Sequence, residues 1–399
     1  MACVVLSLIG LLIVGAPMGV PDGHAAQPVI PVHAWWSIPA EYTSAERYRE
    51  LAEAGFTTSM SPLPNVEAVT KALDAAGQAG VKLFITCPEL STDPEGTVRR
   101  FMSHPALAGY HLTDEPNVKA FPELAAWVRK IQAVDPGHPC YINLYPTYAN
   151  ETQLGTPTYQ AHVDSFVAAV PVTFISFDHY PVMKSGLRPD WYENLEIISD
   201  AARKIGKPFW AFALSVAIDP VYPVATTATL RLQVYSDLAY GAQCIQYFTY
   251  WTPPSGSEKF RDGPITADGK RTPVYDLVRE MNRELQARAG VFYGARVVSI
   301  GHTGSPIPKG TKPFAPFPPF REVRTEGTGA VVSHLENGGA TYLMVVNRDY
   351  IHPMPLDIIL DPGAKVSRVN RKGVDVPVKG ERIRETVGPG DVALFQVGK

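Results

Sequence analysis

Between Pro31 and Ala289 short apolar runs alternate with amphipathic segments, and this alternation limits the possible folds more than any other feature of the chain. Each apolar run has the length of a strand. The stretch after it carries apolar residues at three-to-four spacing, the pattern of repeated strand–helix units that build a parallel sheet. Strands are expected at His33–Ile38, Thr57–Ser61, Lys82–Thr86, Leu107–Leu112, Cys140–Leu144, Phe174–Phe177, Phe209–Leu214 and Cys244–Tyr250. Helices are expected over Ser44–Ala54, Val66–Ala79, Phe121–Val134, Trp191–Ile205 and Thr227–Tyr240, and Gly55, Gly80, Gly206 and Gly241 stand where a left-handed cap would end a helix. Eight units in about 260 residues is the size of a closed (β/α)8 barrel. An open doubly wound sheet is disfavoured, because His33-Ala34-Trp35-Trp36-Ser37 occupies the place of a glycine-rich dinucleotide turn.

The rest of the chain fits around that barrel. Residues 1–26 read as a signal peptide, an apolar run ahead of Ala25-Ala26 but with no Lys or Arg before it, and imply a secreted or periplasmic protein. Residues 27–290 form the barrel domain. Residues 291–399 begin with a Pro- and Gly-rich stretch, Ser305–Phe320, that reads as an extended loop. Short alternating runs follow at Ala330–Leu335, Ala340–Asn347, Leu356–Leu360, Lys365–Arg368 and Val392–Gln396, the pattern of a small antiparallel β-sandwich.

The formal charge of −3 comes without a long basic run, which argues against a nucleic-acid partner, and no second long apolar segment would hold the mature chain in a membrane. Cys87, Cys140 and Cys244 lie in apolar runs and read as buried small hydrophobes. No CxxC or HExxH spacing occurs, so neither a metal nor a cofactor is expected. Nothing in the sequence sets an oligomeric state.

Active sites of such barrels are built where the strands end. That rule selects Glu89 after strand three, Asp114 and Glu115 after strand four, Asn143 and Tyr145 after strand five, Asp178, His179 and Tyr180 after strand six, and Tyr250 and Trp251 after strand eight. Glycosidic cleavage needs an acid for the leaving oxygen and a second group for the oxocarbenium-like centre. Glu115 is the candidate acid, with the charge of Asp114 raising its pKa, and Asp178 is the second catalytic carboxyl. The remaining residues of the set are candidate substrate-binding groups, with Trp251 as a sugar-stacking platform. The competing readings are ordinary ones: Asp114 capping a turn, Asp178 locking a loop, Glu89 in a plain turn, His33 and His111 as satisfied interior histidines, and Trp35, Trp36 and Trp251 as core.

The run Gly109-Tyr110-His111-Leu112-Thr113-Asp114-Glu115-Pro116-Asn117 resembles the strand-four segment of the clan A retaining glycosidases. The resemblance implies that Glu115 is the acid/base. Two departures stand out: Asp114 replaces the clan's Asn, and strand seven, Phe209 to Ser215, has no nucleophilic Glu. Either Asp178 fills the second role, or Asp114-Glu115 works like the Asp-Glu pair of β-hexosaminidases, in which the acetamido group of the sugar attacks.

The function expected is therefore an exo-acting glycoside hydrolase on an oligo- or polysaccharide. A catalytically inactive carbohydrate-binding barrel is the alternative from another class. A metal-dependent hydrolase ranks last, since only His33 and Asp178-His179 stand at suitable strand ends.

Overall fold

The computed structural model describes residues 28–398, so the expected signal segment lies outside the described residues. Eight parallel strands close into a barrel in chain order: β1 Val32–Trp35, β2 Thr58–Ser59, β3 Lys82–Ile85, β4 Leu107–Asp114, β5 Cys140–Leu144, β6 Ile175–Phe177, β7 Phe209–Leu214 and β8 Cys244–Phe248, with β8 pairing back to β1. The outer ring is α1 Ala45–Glu53, α2 Val66–Gly77, α3 Pro94–Phe101, α4 Phe121–Val134, α5 Tyr159–Ala169, α6 Trp191–Lys204, α7 Thr227–Ala239 and α8 Pro273–Ala287. All four glycines expected to end helices have positive φ, for instance Gly206 at +63°. Helix starts are capped as their sequences demand: Ser44, Asn65, Asp93, Thr158 and Thr226 each accept a backbone N–H from the first turn.

Strand ends differ from the sequence expectation where backbone geometry overrides the apolar pattern. Strand one stops at Trp35 because Trp36 turns to φ +44°, and strand two is only Thr58–Ser59. Strand four runs two residues further, to Asp114. The Pro88-Glu89 segment forms a short helix, Pro88–Thr92, in place of a turn, with Pro at its first position where the missing N–H costs nothing.

The barrel separates two apolar layers. Outward residues of the strands join the helices in the main core. Inward ones, among them Trp35, Met60, Phe84, Tyr141, Phe174 and Phe212, fill the lumen as a distinct cluster. Cys87, Cys140 and Cys244 are buried and unpaired. No helix of the described residues is long and apolar enough to cross a membrane.

The C-terminal strands are β9 Arg296–His302, β10 Phe320–Thr325, β11 Ala330–Asn337, β12 Ala340–Asn347, β13 Met354–Leu360, β14 Val366–Val369, β15 Asp375–Pro377, β16 Arg382–Val387 and β17 Val392–Val397. They make a six-stranded sheet in the order β9-β11-β12-β17-β14-β15 and a three-stranded sheet β10-β13-β16. Alternation explains the packing. Val332, Leu343, Val345, Ala393 and Phe395 face the smaller sheet, whereas Val331, Leu335, Met344, Val346 and Leu394 join the core of the barrel. The large sheet is therefore buried on both faces, which is why its central strands read as continuous apolar runs. The stretch Ser305–Phe320 carries no strand before Phe320, and Phe317 within it stacks on His334 at 3.7 Å between ring centroids.

Candidate active site

A β-bulge decides which side chains reach the barrel mouth. Along β4, Tyr110 pairs with Cys140 and His111 with Tyr141, but the register then slips, so that Thr113 pairs with Ile142 and Asp114 with Asn143. Without the extra residue, Asp114 would share the outward face with Tyr110 and Leu112; the bulge moves it inward, level with Asn143. Glu115 comes next, and its φ of +47°, in the left-handed region and ahead of a proline, turns the chain again. That conformation costs on the order of 1–3 kcal/mol and persists only where the surroundings enforce it. The Glu115 N–H anchors it by donating to the carbonyl of Asn143 at 2.8 Å.

Asn143 holds the carboxyls together. Its Nδ2 donates to Asp114 Oδ1 and to Asp178 Oδ1, each at 3.0 Å, while its Oδ1 accepts from Ser176 Oγ at 2.8 Å. The ladder continues into the lumen, where Gln246 Nε2 donates to Ser176 at 2.9 Å and the Tyr141 hydroxyl donates to Gln246. Both amide protons of Asn143 are thus spent on carboxylates, and its orientation is fixed from below.

Three acids share this space. Asp178 is only 8% exposed; burial first, then the charges of Glu115 and Asp114, push its pKa well up, against hydrogen bonds from Asn143 and Tyr180. Glu115 is raised to about 7, by burial first and the Asp114 charge second, and lies within hydrogen-bond reach of Asp178. Asp114 is also raised, by burial, although its own surface is open to solvent. A carboxyl that solvent reaches while protein crowds around it lines a depression, so we place Asp114 on the wall of the mouth. Protons in such a cluster are shared, and the set titrates as a unit. Replacing Asp114 with Asn removes one source of the upward shift. The alkaline limb of the kcat/KM profile should then move to lower pH, toward the ordinary carboxylate range; an unmoved limb would show that burial alone holds the Glu115 proton.

The other expected site residues divide. Tyr145 lies beside the cluster, with all three acids raising its pKa after burial, and Tyr180, whose hydroxyl the Asp178 charge reaches, stacks on Phe248 at 5.5 Å. His179 does not join them: it is buried, 3.5 Å from Asp190, with its ring edge on Tyr148. Glu89 points to a neighbouring helix instead, its Oε1 accepting from Val66 N at 3.4 Å at the start of α2. Tyr250 and Trp251 contradict the expected sugar platform. They are 0% and 1% exposed, Tyr250 packing on Phe56 and Trp251 lying between Tyr42 and the Arg47 guanidinium. An aromatic run ending in prolines marked the strand end correctly but said nothing of which way its rings turn. His33 and His111 are interior, but the ordinary reading of satisfied histidines holds only in part: His33 Nδ1 bonds Thr58 at 2.9 Å while its Nε2 meets no partner, and His111, edging Trp35, finds no partner among the described residues for either ring nitrogen.

Sequence reasoning missed Ser176 and Gln246, whose inward parity on β6 and β8 was available once the register was known. It also missed Tyr148 and Glu258: Tyr148 feels the charge of Asp178, and Glu258, in the loop after β8, raises the Glu115 pKa. At the end of β7 stands Ser215, fully buried, its Oγ donating to the carbonyl of Thr249 at 2.8 Å.

A family model described as beta-galactosidase, glycoside hydrolase family 42, matches residues 124–288, from within α4 to the end of α8. The barrel shares the closed eight-stranded fold of glycoside hydrolases of this kind. Among solved structures the chain is similar to a catalytic mutant of a GH42 beta-galactosidase from G. stearothermophilus, with 10% identity, 93% of this chain and 98% of that one covered, and a TM-score of 0.62. It is also similar to the beta-galactosidase of Bacillus circulans sp. alkalophilus, with 10% identity, 93% and 99% covered, and a TM-score of 0.60. The chain spans 60% of the length of the beta-galactosidase from the psychrophilic Marinomonas ef1, covering 65% of itself at 12% identity and a TM-score of 0.46. No curated protein matches. The family match begins after Glu115, so the Asp114-Glu115 dyad rests on its own geometry.

Proposed function

We propose that Glu115 is the general acid/base of an exo-acting glycoside hydrolase. The observation that carries this reading is a carboxyl at the end of β4 whose pKa sits at about 7, held there by burial and by Asp114. Such a group keeps its proton at neutral pH and can lose it during turnover, as protonation of a glycosidic oxygen and later activation of water require. The barrel fold and the partial family match support the same chemistry from outside the dyad.

The group opposite Glu115 is a separate matter. An acid and a nucleophile that straddle a glycosidic bond stand roughly 5 Å apart or more. Asp178 is buried and within hydrogen-bond reach of Glu115, which suits a positioning residue that steadies the proton. Ser215 offers no carboxylate at the end of β7. Both observations favour the second scheme, in which the 2-acetamido oxygen of the substrate attacks and Asp114 orients it. Hydrolysis of 4-nitrophenyl β-galactoside and 4-nitrophenyl 2-acetamido-2-deoxy-β-hexosides by the full chain tests both proposals. Turnover of either class supports the hydrolase, and preference for the acetamido sugars supports substrate assistance. Equal rates on both would remove the second scheme, and no turnover of any aryl glycoside would remove the first.

A further inference from the structure

Arg188 sits at the rim with no carboxylate among the described residues to neutralise it. It follows a two-stranded hairpin after β6, Val182–Met183 with Gly186–Leu187, and its N–H donates to the carbonyl of Pro181 at 2.8 Å. Its guanidinium carbon lies 3.9 Å from the centre of the Tyr148 ring and 5.8 Å from that of Tyr222. Nη2 donates to the Tyr222 hydroxyl at 2.9 Å, and Nε is buried with no acceptor. Its neighbours on the rim are satisfied differently: Lys184 Nζ and Arg261 Nε both meet the Asp219 carboxylate, each at 2.6 Å. No carboxylate of the described residues pairs with Arg188.

The guanidinium is one aromatic ring away from the acids. Tyr148, on which it stacks, meets His179, the residue after Asp178, edge-on at 5.0 Å, and Tyr222, which it bonds, faces Tyr180 at 6.0 Å. Nε is buried out of a ligand's reach, but Nη1 makes no hydrogen bond among the described residues, and a half-buried cation with no anionic partner is an incomplete ion pair. The planar fork of arginine fits a carboxylate or a sulfate through two parallel hydrogen bonds. The upward shifts of Asp178 and Glu115 matter here too, because protonated acids leave the mouth less repellent to an anion.

We propose that Arg188 receives an anionic substituent, a carboxylate or a sulfate, on the carbohydrate whose bond Glu115 protonates. The inference rests on the glycosidase reading and names the substrate class of that site: an acidic sugar. Its test compares the full chain with Arg188→Met and Arg188→Lys on three sets of aryl glycosides, neutral hexosides, hexuronides and 6-sulfated hexosides. The wild type should favour one anionic set over the neutral one by roughly 10–100-fold in kcat/KM, the scale of a charge-assisted hydrogen-bonded pair. That ratio should collapse in Arg188→Met, recover in part in Arg188→Lys, and shrink with added salt. Preference for hexuronides over sulfated sugars, or the reverse, identifies the anion. Turnover of neutral hexosides with no anionic preference, or equal losses on all sets in Arg188→Met, would overturn the inference while leaving the glycosidase in place. Absence of turnover and of calorimetric binding for every probe would overturn both.

Discussion

Glu115→Gln is expected to lower kcat by roughly 10²–10⁴-fold on any aryl glycoside whose leaving group needs protonation, the usual scale of general acid catalysis. Glutamine keeps the shape of the side chain and its contact with Asp178 but cannot give up a proton, so ligand affinity should survive while turnover falls. The same substitution carries a stability signature of opposite sign. Folding raises the Glu115 pKa from 4.5 to about 7. The folded protein therefore holds this proton more tightly than the unfolded chain does, and the stabilisation is complete below the unfolded value and lost as pH rises through the folded one. Glutamine does not ionise and escapes that loss. Relative to wild type, the variant should gain thermal stability at about pH 8 and lose the advantage near about pH 4. A variant that keeps full turnover would end the case for Glu115 as the acid. One that melts lower at both pH values would show that the carboxylate is a structural anchor.

How far the site was legible follows from these residues. The alternation of runs and amphipathic segments was enough for eight strands and their order, because burial on both faces and helix periodicity are written locally. The position of Asp114 and Glu115 at a strand end was equally readable. Their direction was not: a period-two reading of β4 sends Asp114 outward, and only the bulge before Thr113, set by pairing with β5, brings it beside Asn143. Glu115 at positive φ escapes pattern reasoning for the same reason, since no local propensity places a glutamate there. Trp251 shows the converse error. Its neighbourhood was read correctly, yet the Tyr42 ring and the Arg47 guanidinium, both from the segment after β1, cover it. In the C-terminal sheets, β9, β10 and β16 went unread because their runs mix exposed and buried positions, and β15 because it is exposed throughout, unlike the largely buried β11, β12 and β17.

The join between barrel and sandwich makes the second large prediction. Glu284, on α8 and nearly buried, pairs with Arg231 of α7, accepts from the Tyr235 hydroxyl at 3.1 Å, and lies 3.7 Å from Arg371 of the C-terminal region. Arg231 in turn lies 3.8 Å from Asp391, which also pairs with Arg371. Arg288 closes the network, donating to the Tyr235 hydroxyl and to the carbonyl of Asn370, both at 2.9 Å. Removing one member of such a buried set leaves the others as uncompensated charges, at a cost of about 3–5 kcal/mol, whereas exposed pairs contribute about 0–1 kcal/mol. Glu284→Ala should therefore lower the unfolding midpoint strongly, and Glu336→Ala, which breaks the exposed pair with Arg296, should barely change it. The Glu284→Ala, Arg231→Ala double variant should lose less than the sum of the single losses, because the second deletion removes a charge the first left stranded. None of these side chains touches the carboxyl cluster, so turnover per folded molecule at low temperature should be kept. A Glu284→Ala midpoint no lower than that of Glu336→Ala would mean that the apolar contact of β11 and β12 with α7 joins the two units, and that the charges merely decorate it.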